Sequence, residues 1–342
     1  MSHPKLTFFC ELPVDELTKL FDGRFVIDDL HALDASLSLG ILDLSEERAR
    51  FVQRLNKAGV PVIAWLLLPE EEGYWFNLDN YKAAAGRYIT FKAWTDQHNL
   101  KWAGIGLDIE HDIQDLRALR EQKEKKEVFK KYLGRFKNKD RVEDGRSAYQ
   151  ALIDLIHADG YDIETYQPPL ILEERKAKST VLQRTAGLVD LESDREVLML
   201  YSSFLRPHGE AALWSYAPEA DSIGVGSTGG GVDIEGMIDL DPLSWEEFSR
   251  DLRLCVKQNK PIHIFSLEGC VAQGFLSKLN TFDCGAPVSI PSKGRCIRAI
   301  RTGFAALLWV IERPWILIFA FVSLIGLGFL FKQGEGRNSG DK

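Results

Sequence analysis

The sequence predicts an α/β TIM (β/α)8 barrel followed by a C-terminal transmembrane helix. Three observations predict it. Eight short apolar runs are spaced along residues 1–290, with amphipathic or capped segments between most of them. The third of these runs is apolar almost continuously, as in parallel strands buried on both faces. From Pro314 to Phe331 stand 18 residues without a charge, about the length a helix needs to cross a bilayer core.

The elements follow in order. KLTFFCEL (5–12) reads as the first strand and the amphipathic VDELTKLF as its helix. ASLSLGILDLS (35–45) is the second strand. Ser45 then opens the helix EERARFVQRLNKAG, with Glu46 and Glu47 favouring the dipole in its first turn and Gly59 at its end. VPVIAWLLLP (60–69) is the third strand, a helix follows around Asn80–His98, and WAGIGLDIE (102–110) is the fourth. The Lys- and Glu-rich stretch Asp115–Gly145 has helical spacing and reads as a solvated excursion. SAYQALIDLIHADG is a helix leading into YDIETYQPPLIL (161–172), the fifth strand; REVLMLYSSFL (195–205) is the sixth and DSIGVGST (221–228) the seventh. Ser244 and Glu247 form a capping box ahead of an amphipathic helix, and PIHIFSLEG (261–269) closes the series. Eight such units in about 290 residues favour a closed barrel over an open doubly wound sheet.

The expected organisation is a barrel over 1–290, a basic juxtamembrane linker over 291–303, a single transmembrane helix over 304–332 and a short polar tail over 333–342. Lys293, Arg295, Arg298, Arg301 and Arg313 precede the uncharged run 314–331 and only Lys332, Arg337 and Lys342 follow it. The positive-inside rule then puts the barrel on the cytoplasmic side of a single-pass, tail-anchored protein that contacts the lipid bilayer. The N-terminus lacks the basic-then-apolar pattern of a signal peptide.

A chain of 342 residues that is 45% hydrophobic can bury a large core. A formal net charge of −8 argues against a nucleic-acid partner, which needs a basic footprint. The five cysteines are scattered and form no zinc pattern, so neither a metal, another cofactor nor a disulfide framework is expected. The oligomeric state is left open.

In such barrels active sites lie at the C-terminal ends of the strands. The residues gathered there are Glu11, Asp43, Trp65, the segment PEEEGYWFN (69–77), Asp108, Glu110, Asp112, Tyr166, Gln167, Met199, Tyr201, Trp214, Tyr216 and Glu268. Side chains alternate along a strand, so Asp108, Glu110 and Asp112 are expected on one face. An acidic and aromatic rim suits a carbohydrate. Aromatic faces pack the apolar side of a sugar ring, and paired carboxylates perform acid/base work at the glycosidic bond. Candidate catalytic residues are Glu110, Asp108, Tyr201 and Glu268. Candidate substrate-binding residues are Trp65, Trp75, Asn77, Tyr166, Gln167, Met199, Trp214 and Tyr216. The partner expected at the mouth is a carbohydrate or glycoconjugate.

WAGIGLDIE resembles the fourth-strand signature of the chitinase-like (family 18) glycoside hydrolases, roughly aromatic-D-G-x-D-x-D-x-E. Gly104 matches the glycine, Asp108 the last aspartate and Glu110 the catalytic glutamate, while Met199-Leu200-Tyr201 fits the family's M-x-Y on strand six. The resemblance implies Glu110 as general acid, Asp108 orienting the substrate's N-acetyl group and Tyr201 supporting it. The chain departs from the pattern at Ala103 and Gly106, where the family keeps aspartates, and in PIHIFSLEG, which lacks the usual tryptophan. Glu268 offers a second carboxylate across the mouth, and its separation from Glu110 would decide between retention and inversion.

Other readings stand beside this one. Glu11, Asp43, Asp108, Glu110, His111, His263 and Glu268 could serve a divalent-metal-dependent hydrolase or isomerase. The glycine run Gly224–Gly231 could hold a phosphate. The barrel could also bind a sugar or a protein at the membrane without catalysis.

Overall fold

The structure, a computed structural model, describes residues 4–23, 25–120, 125–231 and 241–314. Eight strands lie within the eight predicted runs: β1 Leu6–Cys10, β2 Ser36–Ile41, β3 Val62–Leu66, β4 Gly104–Asp108, β5 Ile163–Gln167, β6 Arg195–Met199, β7 Ser222–Gly226 and β8 Ile262–Phe265. All pair in parallel, in sequence order, and β1 pairs with β8 to close the barrel.

Alternation along each strand sorts side chains into two cores. Outward residues such as Phe8, Leu37, Leu39, Val62, Leu66, Ile105 and Leu107 pack beneath the helices with Leu17, Phe51, Val52 and Leu55. Inward residues form a smaller aromatic cluster around Phe9, Trp65, Tyr166 and Val197, with Met199 and Phe265 against it. Large rings from β1, β3, β5 and β8 are matched by small inward residues elsewhere. The Tyr166 hydroxyl meets Ser38 Oγ on β2 at 2.7 Å. It also fills the space beside Gly106, where an added Cβ would lie 2.3 Å from that hydroxyl.

The predicted helix signals are present. Ser45 Oγ accepts a bond from the Arg48 N–H at the start of the helix Glu46–Ala58, and Gly59 ends it at φ 81°. Ser244 and Glu247 form both bonds of the capping box on the helix Trp245–Val256. The charged excursion is folded into the helices Ile113–Arg120 and Lys125–Phe136 and the start of Asp140–Ala158.

The C-terminal region departs from its predicted division. A helix runs from Gly294 to Glu312, so the stretch expected as a linker is helical from Gly294 onward. Buried Arg301 ties this helix to the barrel's outer layer, donating from Nε to Glu173 at 2.7 Å and from Nη1 to the Ser215 carbonyl at 2.6 Å. Glu312 pairs with Arg184 and Lys139. Leu308 is buried with Ala177 and Val181. Three of the cations read as membrane-flanking are thus engaged by protein: Arg301 in ion pairs, Arg298 over the Trp214 ring at 3.9 Å and Arg313 donating to the Ala177 carbonyl at 3.2 Å. Among the described residues no helix is long and apolar enough to cross a membrane. Residues 315–332 of the predicted span and the predicted tail 333–342 lie outside the described residues.

Candidate active site

The acids after β4 are placed by a neighbouring loop. Phe76, from the segment after β3, bridges to Ile109. The Phe76 N–H donates to the Asp108 carbonyl at 2.9 Å, and the Glu110 N–H donates to the Phe76 carbonyl at 3.2 Å. This bridge carries the strand's alternation past its end, so Asp108 and Glu110 share the inward face. Asp112 does not join them. Its Oδ1 accepts the Gln114 N–H at 2.8 Å, at the start of the helix Ile113–Arg120.

Asp108 is buried, and its Oδ2 accepts a bond from Trp65 Nε1 at 3.1 Å. Its Oδ1 has no hydrogen-bond partner among the described residues. Burial, and then the negative charges of Glu110 and Glu11, hold this carboxyl well above the ordinary range against the Trp65 bond. Glu110 is half-buried, and desolvation raises it to about 7. Glu11, inward at the end of β1, accepts a 2.5 Å bond from the Tyr74 hydroxyl. The Tyr201 phenol is raised by burial and then by the charges of Asp108, Glu110 and Glu11. Three carboxyls and two phenols therefore act on one another at the C-terminal mouth.

Glu268 stands behind this group. Its Oε1 accepts the Glu11 N–H at 3.3 Å, and its charge falls on Cys10 and Cys270. Burial raises it, opposed by hydrogen bonds that include those from the Glu11 backbone and Ser266. Its Oε2 has no hydrogen-bond partner among the described residues. The carboxylate acting directly on Asp108 and Tyr201 is Glu11, one strand away from the position expected for Glu268.

The predicted binding residues divide into two sets. Trp65 and Tyr166 form the aromatic floor, their ring centroids 6.1 Å apart, and Met199 packs against them. Trp75 meets Tyr74 edge-on at 5.3 Å beside the mouth. The other four stand apart from the acid cluster. Asn77 is buried in a turn, its Oδ1 accepting the Asp79 N–H. Gln167 is buried and donates to the Val189 carbonyl at 3.0 Å; it follows inward Tyr166, so it faces outward. Trp214 lies under the C-terminal helix against Gly294, and Tyr216 donates to Glu173 beneath Arg301. Glu11, Tyr74 and Phe265 are the mouth residues left out of the candidate list. Parity was the available signal for two of them: Thr7, Phe9 and Glu11 alternate inward along one strand, and His263 and Phe265 along another.

The metal and phosphate readings fare differently from the acid cluster. Among the described residues no group of three or more His, Cys, Asp or Glu side chains stands where it could hold a metal ion. Asp43 is bound by Ser45 and Arg48, and His263 Nε2 lies 3.0 Å from Glu164 inside the barrel. Gly230 and Gly231 pack against Glu268 and Phe265, with the Glu11 carboxylate 3.3 Å from a Cβ placed on Gly231. An anion there would meet carboxylates.

No family model matches the chain, and no curated protein matches it. Among solved structures, the chain is similar to the PgaB (BpsB) glycoside hydrolase domain from Bordetella bronchiseptica. That likeness has 9% identity and a TM-score of 0.47, covering 82% of this chain and 98% of that one. It is similar to an L-ribulose 3-epimerase at 10% identity and a TM-score of 0.40, covering 90% and 96%. It is also similar to a xylose isomerase domain containing protein from Salmonella typhimurium LT2 at 9% identity and a TM-score of 0.42, covering 82% and 97%. The fold assignment rests on the strand pairing.

Proposed function

We propose that the barrel acts on a carbohydrate or glycoconjugate as a glycoside hydrolase-like enzyme. Glu110 gives its proton to the glycosidic oxygen as the bond to the anomeric carbon breaks, water supplies the hydroxyl that replaces it there and returns a proton to Glu110, and Asp108 is the assisting carboxyl. The observation that carries this reading is the convergence of Glu11, Asp108 and Glu110 on Tyr201, with Glu110 near 7. A general acid works best when its pKa lies near the operating pH. The partial family 18 motif on Asp108, Glu110 and Met199–Tyr201 supports the same roles and makes N-acetylhexosamines the first sugars to try.

Turnover of alkyl glycosides, whose leaving alkoxide must take up a proton, tests this. At least one is expected to be cleaved, with a rate that falls as pH rises through about 7, where Glu110 loses its proton. A rate that rises through that range would remove Glu110 from the acid role. A second reading, a barrel that binds glycans without cleaving them, is favoured by one observation. The Tyr166 hydroxyl occupies the space beside Gly106, where the resembling family keeps an aspartate. Glycan binding with no cleavage of any glycoside would establish it.

The uncharged run 314–331 supports a single-pass tether. The full chain is expected to stay with membranes through alkaline carbonate washing, and release by that treatment would exclude a spanning anchor.

A further inference from the structure

A cavity of about 260 Å³ lies beside the mouth. The segments after β5 and β6 and the helix Gly209–Tyr216 wall it. Its lining is apolar almost throughout and includes Leu170, Met199, Tyr201, Phe204, Leu205 and Leu213. Leu170, Phe204 and Leu205 leave 44%, 50% and 53% of their surface exposed. Apolar side chains grouped around a hollow, and left open to water, gain free energy when an apolar group covers them.

The cavity shares a wall with the acid cluster. The Tyr201 ring lies 5.5 Å from Phe204 on the cavity side and 5.5 Å from Phe265 on the mouth side. Phe265 in turn lies 6.5 Å from Trp65, whose indole donates to Asp108 at 3.1 Å. One tyrosine therefore separates the carboxyls from an apolar hollow. A dry cavity of about 150 Å³ accommodates benzene, so this one accommodates roughly ten carbon atoms.

We propose that this cavity binds the apolar portion of the substrate, an alkyl or aryl group of roughly ten carbons, making the substrate class an amphiphilic glycoconjugate. The sugar would occupy the acidic mouth, with the bond between the two parts beside Tyr201. The assignment of substrate class rests on the glycosidase-like reading of the mouth; the affinity of the hollow for an apolar group does not.

Calorimetric titration of the full chain separates the two. The probes are methyl, butyl, octyl, decyl and dodecyl β-glycosides of N-acetylglucosamine, each below its micelle concentration, and 1-octanol alone. Each methylene seated in the cavity should tighten binding about fourfold. Butyl to octyl should therefore gain on the order of 100-fold, and the gain should stop near decyl, where the hollow is full. Leu205→Asp, at the open rim, should flatten the series while leaving the methyl glycoside unaffected. Ala212→Phe, which fills the wall, should do the same. Leu205 is exposed, so its substitution leaves folding intact.

A series that is flat from methyl to dodecyl in the unaltered chain overturns the cavity assignment and leaves the glycan reading standing if the methyl compound binds. A gain that continues through dodecyl and survives both substitutions also overturns it, since that is partitioning without a site. If octanol binds and loses its affinity in Leu205→Asp, the cavity assignment holds. If in addition no glycoside binds better than octanol, the glycan half fails alone.

Discussion

Glu110→Gln is expected to lower kcat on an alkyl glycoside, whose leaving alkoxide must be protonated, by about 100- to 10,000-fold, the range over which a positioned general acid contributes. Glutamine keeps the shape of the side chain and cannot give a proton at neutral pH. The same substitution should stabilise the protein at high pH. Burial raises the folded carboxyl from 4.5 to about 7, so the folded state holds its proton where the unfolded chain has lost it. Stability therefore falls as pH rises from about 4.5 to about 7 and is level above that. An uncharged residue removes this loss, which amounts to on the order of 1–3 kcal/mol. Differential scanning calorimetry should show a higher Tm for Glu110→Gln at pH 8 and no difference at pH 4. Unchanged turnover would remove Glu110 from the mechanism. A lower Tm at pH 8 would show that its charged form is well accommodated in the fold.

Arg301→Met is expected to cost about 3–5 kcal/mol, the usual penalty for leaving a buried charge without its partner. Arg301 reaches Glu173, Glu219 and the Ser215 carbonyl from the C-terminal helix. Glu173 is fully buried, and its remaining partners are the Tyr216 hydroxyl at 2.8 Å and Lys176 at 4.0 Å. For a domain of this size the loss should lower Tm by roughly 10 °C. Adding Glu173→Gln to Arg301→Met should recover part of the loss, because the stranded charge is then gone. A single substitution with little effect on Tm would mean that the helix Gly294–Glu312 contributes little to holding the outer layer.

The barrel was legible because its strands are written as apolar runs and its helices carry explicit caps at Ser45 and Ser244. The inward pairing of Asp108 with Glu110 was legible for the same reason, since period two needs no knowledge of the rest of the chain. The same rule turns Gln167 outward from its inward neighbour Tyr166. Other features depend on distant contacts that local pattern does not encode. The Tyr74 hydroxyl finds Glu11 across 63 residues. Trp214 and Tyr216 look like sugar-stacking rings until a helix some 80 residues later covers them. Arg301 looks like a membrane-flanking cation until Glu173 is seen beneath it.

The glycine at 106 and the tyrosine at 166 occupy one shared volume, the Tyr166 hydroxyl filling the space that a Cβ on Gly106 would need. An acidic side chain placed at 106 would therefore meet the Tyr166 ring, and seating one there calls for a smaller residue at 166 as well. In this chain the room for a further carboxylate beside Asp108 is taken by an aromatic ring, and a change of chemistry at that point would begin with a loss of bulk.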